Sequence, residues 1–199
     1  AAYPLSKDET ELKGRNVIIW FFTIPMLVSG GMIPSFLLVK NLGMMDSLWA
    51  LILPGAISTY NMLIMRSAIG ALPDALMEAA KLDGASHFQR ILNVVVPLTG
   101  ATSAVLMLYY AVGHWNAWFN ASLYIQSPSR FPLQLVLRQV LILGEDSEMA
   151  SGMDAGSEIA AATVIKYALI VISTVPIMLL YPFLQRFFVK GVMIGSVKG

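Results

Sequence analysis

The sequence predicts an all-α protein that crosses a membrane several times, on three observations. Its mean hydropathy is +0.70 and 57% of its residues are hydrophobic. Charged residues make up 13%, about half the share of an ordinary soluble domain. Apolar runs long enough to cross a bilayer alternate with short polar segments, and a chain inside hydrocarbon must pair its own backbone groups, as helices do. The same composition excludes other classes. A net charge of +1 with no run of basic residues gives no nucleic-acid signal. There is no cysteine, hence no disulfide and no thiolate metal site. The two histidines, His87 and His114, lie in unlike surroundings and do not suggest a metal pair.

In chain order, AAYPLS reads as the end of a preceding span, and the charged segment Lys7–Arg15 follows it. The first span is expected over Asn16–Val39, kinked by Pro25, Gly30-Gly31 and Pro34. After a short turn, Lys40–Ser47, the second span is expected over Leu48–Met65. It carries Pro54-Gly55 and the polar cluster Ser58, Thr59, Tyr60, Asn61. Tyr60 and Asn61 either join helices or face a translocation path, because polar groups at membrane depth are costly unless they pair or line a cavity.

Arg66 marks the return from the membrane, and Leu72–Pro97 follows as a polar elbow of two short helices, Asp74–Asp83 and His87–Val96. Pro73 is expected at the first helical position, where only an unpaired N–H is lost. Leu76, Met77, Ala80 and Leu82 supply apolar contacts, whereas Glu78, Lys81 and Asp83 carry charge. Gly84 occupies the place of a left-handed C-terminal cap, and Ser86 that of an N-cap.

The third span is expected over Leu98–Phe119. Its end, GHWNAWFN, contains Trp115 and Asn116, which suit either an interfacial aromatic belt or the flat faces and amides of a sugar path. The long segment 120–159 contains FPLQLVLRQVLIL, Phe131–Leu143, read as a helix on the membrane surface. It is followed by the acidic Gly144–Gly156, with Glu145, Asp146 and Glu148, which is expected to be mobile. The last span is expected over Ala160–Phe183, with a tail at 184–199. With the elbow inside, nine basic residues lie on the cytoplasmic side and Lys40, Arg130, Arg138 and Lys166 outside, in line with the positive-inside tendency.

The elbow resembles a known signature. Glu78-Ala79-Ala80, three residues, Gly84, nine residues, then Val94-x-Val96-Pro97 is similar to the EAA motif of ATP-binding-cassette (ABC) importer permeases. The family pattern ends Ile-x-Leu-Pro, so two conservative apolar changes separate the two. An ordinary amphipathic loop helix is the plainer alternative. AAYPLS, GHWNAWFNASLY, FPLQLVLR and the ending YPFLQRFFVKGVMIGSVKG extend the resemblance to the maltose-type carbohydrate permeases, in the subgroup importing complex oligosaccharides.

The resemblance implies the type I importer transmembrane fold as a single permease domain, with four spans visible of six and the chain truncated at its N-terminus. It implies a coupling surface at Glu78, Ala79, Ala80, Asp83 and Gly84 and in the tail at Val197, Lys198 and Gly199. Glu145, Asp146 and Glu148 would then touch the binding protein, and Tyr60, Asn61, Trp115 and Asn116 border the path. It also implies partners: a second permease, two ATPases holding ATP and Mg, an extracytoplasmic solute-binding protein and membrane lipid. The chain itself would hold no cofactor or metal and do no covalent chemistry. No G-x-x-x-x-G-K-[ST] phosphate loop occurs in it. An ion-coupled secondary transporter and a scaffold subunit remain open alternatives, although no Asp or Glu falls inside an expected span.

Overall fold

The computed structural model describes residues 1–150 and 163–182, the side chains of 143–150 excepted. All of its regular elements among the described residues are helical, and the chain forms two compact units. The first comprises Ala1–Pro34 and Gly55–Tyr110; the second comprises Ser35–Pro54 and the described residues from Ala111 onward.

The first unit begins with α1 (Ala2–Ser6) and α2 (Arg15–Leu27). The carbonyl of Leu5 at the end of α1 accepts from Arg66 Nε at 2.9 Å, and that of Lys7 accepts from Arg15 Nη1 at 2.9 Å. These charged donors satisfy carbonyls that a helix end leaves unpaired. α5 (Thr59–Gly70) is capped by Ser58, whose Oγ accepts from Asn61 N–H at 3.3 Å. Thr59 does not bond its own helix: its Oγ1 donates to the Phe22 carbonyl of α2 at 3.0 Å.

α6 (Asp74–Leu82) starts one residue after the expected position, so Pro73 precedes the helix as its N-cap. After the turn come α7 (His87–Arg90), a π-turn (Ile91–Val95) and α8 (Val96–Leu98). The π-turn widens the helix just before Pro97, which has no N–H to return to the carbonyl four residues back. α9 (Gly100–Trp115) then leaves at 87° to the His87–Leu98 segment. At the break, Thr99 is buried, its Oγ1 donating to the Val95 carbonyl at 2.7 Å.

The second unit contains most of α3 (Met32–Asn41), α4 (Trp49–Ile52), α10 (Trp118–Tyr124), a 3-10 turn (Pro128–Arg130), α11 (Leu133–Ala150) and α12 (Thr163–Pro182). Val39, Ala50 and Tyr124 form one buried cluster, with Phe36 stacked on Tyr124 at 6.2 Å. Ala121, Ile125 and Leu135 form a second, covered by Trp118 and Phe131.

Several expected boundaries are corrected. The first span, Asn16–Val39, is a broken pair: helix stops after Leu27 and resumes at Met32. Gly31 in the break has φ +87°, a conformation L-residues avoid. The second span, Leu48–Met65, is not continuous either, because Leu53–Ser58 around Pro54-Gly55 separates α4 from α5. α5 has 12 residues, about 18 Å of helix, against a core of about 30 Å. It also runs past Arg66 to Gly70. The third span ends at Trp115, and α10 restarts at Trp118.

The expected Phe131–Leu143 helix starts at Leu133 and continues to Ala150, so the first part of the expected mobile segment Gly144–Gly156 is helical. The rest of that segment lies outside the described residues. Among the described residues α12, at 20 residues, is alone long and apolar enough to span by itself. Two broken pairs, α2 with α3 and His87–Leu98 with α9, qualify only when each is taken as one span.

Candidate functional site

The turn between α6 and α7 follows from four residues. Gly84 has φ +74°, where a side chain would be strained. Around it Ala85 N–H donates to the Ala80 carbonyl at 3.0 Å and Gly84 N–H to the Lys81 carbonyl at 3.1 Å. That pair of bonds is a Schellman cap, which returns the last α6 carbonyls to use. The next helix opens on a capping box: Gln89 N–H donates to Ser86 Oγ at 3.3 Å, and Ser86 N–H donates to Gln89 Oε1 at 2.8 Å. The chain thus locks both sides of the turn locally.

The turn leaves a defined surface outward. Glu78, Ala79, Asp83 and Gly84 are exposed, whereas Met77, Ala80 and Ala85 are partly covered. Leu82, expected to supply an apolar contact, is 89% exposed, and Phe88 across the turn is 69% exposed. Two large apolar side chains therefore flank the glycine in the open. Helical spacing could have found Leu82: the covered face of α6 falls at Met77 and Ala80 and not at Leu82.

On the other side, the elbow is tethered by Lys81 Nζ to Glu11 at 3.8 Å and by Tyr3, edge-on to His87 at 6.4 Å. The buried Arg90 donates from Nη2 to His87 Nδ1 at 3.2 Å. Of the expected coupling residues, the fold brings Glu78, Ala79, Asp83 and Gly84 to one exposed ridge. Ala80 contributes its carbonyl to the cap. Val197, Lys198 and Gly199 lie outside the described residues.

The four path candidates are divided between the two units. Asn61 is buried and lines a cavity of about 350 Å³ in the first unit with Ser58, Met62, Ser103, Leu106 and Tyr110. Tyr110 Oη accepts from Ser58 N–H at 2.9 Å in the same place. Tyr60, its neighbour, is 54% exposed and does not line that cavity. Trp115 and Asn116 belong to the second unit. Trp115 Nε1 donates to the Ser173 carbonyl at 3.0 Å, tying the end of α9 to α12, and Asn116 is exposed. Glu145, Asp146 and Glu148 sit on the last turns of α11 rather than in a loop.

Sequence reasoning missed Asp46, the organising residue of the turn before α4. Its carboxylate accepts from Gln126 N–H at 3.0 Å, from Ser127 N–H at 2.8 Å and from Ser127 Oγ at 2.6 Å. Arg130 Nη1 lies 3.3 Å from Oδ2 and also donates to the Asp46 carbonyl. The Ser127 hydroxyl, then the two backbone donors and Arg130, hold the carboxyl well below its ordinary value, at about 2. Asp46 has φ +54°, and its N–H donates to the Tyr124 carbonyl at 2.8 Å. In sequence nothing marks it beyond an acid in a short turn, since every partner lies about 80 residues away.

Residues 14–194 match the family described as binding-protein-dependent transport system inner membrane component. Protein LplC of Bacillus subtilis (strain 168) is 46% identical over 198 residues, covering the whole of this chain and 66% of that protein. The polygalacturonan/rhamnogalacturonan transport system permease protein YtcP of the same strain is 42% identical, covering the whole chain and 68% of that protein. Among solved structures, a bacterial ABC transporter involved in the import of the acidic polysaccharide alginate superposes with a TM-score of 0.80 at 28% identity. That match covers 94% of this chain and 66% of the other. This chain thus spans about two thirds of the length of these relatives. Its match across nearly all of its length places it in the family of binding-protein-dependent transport system inner membrane components.

Proposed function

We propose that the chain is the membrane-embedded permease subunit of an ABC importer for a carbohydrate of the oligosaccharide class. A second permease completes the path, two separate ATPase subunits bind ATP and Mg and supply the driving force, and an extracytoplasmic binding protein delivers the sugar. The chain is a transport subunit and not an enzyme. It works by having different stabilities in inward- and outward-facing states, and a docked ATPase can shift that balance only by binding the two differently.

The observation that carries this reading is the elbow. A Schellman cap, a left-handed Gly84 and a capping box fix two short helices at a turn whose outer ridge leaves Glu78, Leu82, Asp83 and Phe88 exposed. Exposed large apolar groups at a rigid, charged turn suit a protein partner better than a solvated loop. The relatives' names support the carbohydrate: one is a polygalacturonan/rhamnogalacturonan transport system permease, and the solved structure concerns alginate import.

The test is to purify the full-length protein with its neighbouring transport subunits in detergent and then reconstitute it in liposomes. A co-purifying ATPase, with sugar uptake that needs ATP and the binding protein, is expected. Uptake driven by a proton or sodium gradient without ATP would replace this reading with that of a secondary transporter.

A further inference from the structure

We propose that a cavity beside the Asp46 clamp is a receiving site for the neutral part of a saccharide, with Trp49 as its apolar face and Arg130 and Ser129 as its hydrogen-bond donors. The proposal deepens the reading as a carbohydrate permease and rests on it. The cavity holds about 590 Å³ and is lined by Ser47, Trp49, Ser129, Arg130 and Phe131 among others, all from the second unit. Its volume falls within the ~300–1,000 Å³ of small-molecule sites.

The lining residues are open to a ligand and at the same time held in place. Trp49 is 60% exposed, while its N–H donates to Ser47 Oγ at 3.3 Å at the start of α4. A large apolar ring left in water gains by being covered, and the hydrogen-bearing face of a pyranose is flat and apolar enough to cover it. Arg130 keeps 54% of its side chain exposed, yet its Nη1 is anchored twice, on the carbonyl and on the carboxylate of Asp46. Nε and Nη2 make no hydrogen bond among the described residues. An arginine carries five donors in one rigid plane, so the anchor at Nη1 also restrains the unused edge. Little further ordering is then needed on binding. Ser129, exposed beside it, adds a hydroxyl that both donates and accepts. Phe131 gives the cavity a fixed wall, since it packs on the cluster of Ala121, Ile125 and Leu135.

Charge decides the ligand class. Asp46, with its carboxyl held at about 2, is ionised at neutral pH, and its Oδ2 lies 3.3 Å from Arg130 Nη1. The pair carries no net charge. The guanidinium therefore offers donors without the attraction that a free cation exerts on an anion. Adjacent hydroxyls of a neutral sugar residue suit such donors, and a carboxylate gains little from them. With the elbow inside, Arg130 falls on the external side, so this cavity meets a saccharide before any path at membrane depth does.

The experiment uses the assembled full-length transporter in nanodiscs, without its binding protein, and titrates trigalacturonate and the same trimer fully methyl-esterified. Wild type is expected to bind both within about threefold of each other, because a compensated pair exerts little net field on a third charge. Trp49→Ala is expected to weaken both by about tenfold or more, the scale of leaving one large apolar face uncovered. Trp49→Phe, which keeps an aromatic face, is expected to stay close to wild type. Arg130→Gln is expected to weaken both trimers alike. Should it fail to assemble without its clamp, the two Trp49 variants decide the matter.

Equal binding by wild type and Trp49→Ala would overturn the site, as would no binding of either trimer by wild type. Uptake driven by ATP in the complete transporter would still uphold the carbohydrate reading in both cases. A preference for the acid of about tenfold or more would show Arg130 acting as an uncompensated cation and overturn the proposal. Trimer binding unchanged in Trp49→Ala, with more binding protein needed to stimulate ATP hydrolysis, would reassign the face to that protein and overturn it too. Absence of ATP-dependent uptake of any oligosaccharide would sink both readings.

Discussion

Gly84 shows how much one residue can be asked to do. Its φ of +74° is required by the turn, yet no atom lies within 4 Å of the position a Cβ would take. The penalty for Gly84→Ala within the chain is therefore conformational, about 1–2 kcal/mol. Valine adds the greater strain of a β-branched residue at positive φ. We expect Ala to be partly tolerated and Val poorly, with insertion normal for both and uptake reduced. Any loss for Ala beyond the shift seen in unfolding of the permease alone reports contact with a docked partner. Equal uptake by all three would remove the physical reason for the glycine.

Asp46 makes the complementary point through charge. Its folded value of about 2 lies below its ordinary 3.8. The clamp's contribution is therefore fully present above about 3.8 and is lost as pH falls through about 2. Asp46→Asn should lower the unfolding temperature near neutral pH. The gap from wild type should narrow below about 3.8 and close towards 2. A gap independent of pH would mean that the carboxylate's charge is irrelevant to the clamp.

At the scale of elements, the elbow was legible because its devices are local. Gly84 and Ser86 act within a few residues of themselves, so their spacing announces a cap, a turn and a second cap, although the return bond to Gln89 was not read from it. The broken spans were only partly legible: Gly30-Gly31 and Pro54-Gly55 marked a kink, but not that the helix ends there. Hydropathy sums over a window and does not see that Ser29-Gly30-Gly31 or Pro54-Gly55 ends a helix; it sees only that the stretch is apolar. The direction of Leu82 was not legible for a related reason, since apolar character does not tell which way a residue at the end of α6 faces.

Its exposure leads to a test at this scale. Burying an exposed leucine or phenylalanine against a partner is worth about 1.5–3 kcal/mol. Leu82→Ser and Phe88→Ser should each weaken retention of the ATPase in detergent by at least tenfold while leaving the thermal stability of the permease alone unchanged. Retention equal to wild type would return the two side chains to an ordinary exposed surface.

For the whole molecule, the relevant facts are the two compact units and the surface they leave open. Large apolar side chains are exposed on α2, α3 and α12, as expected of faces that meet lipid or another membrane subunit. The tail belongs to this scale, since Val197, Lys198 and Gly199 act only in the assembled transporter if the resemblance holds. Deleting Val197–Gly199 is expected to reduce transport-coupled ATP hydrolysis severalfold with membrane levels unchanged. Full transport by the truncated protein would dissociate the tail from coupling.

The helical membrane class, the elbow with its caps, and the family are legible along the chain, because hydropathy, residue chirality and short-range hydrogen bonds are properties of neighbours in sequence. The folded chain alone shows that Asp46 gathers Gln126, Ser127 and Arg130, that the Arg138 guanidinium carbon lies over the Trp118 ring, and that Asn61 is buried while Tyr60 is not. Those facts depend on segments many residues apart meeting in space. A charge or ring placed by packing acquires its partner, and hence its chemistry, only when the fold has closed around it.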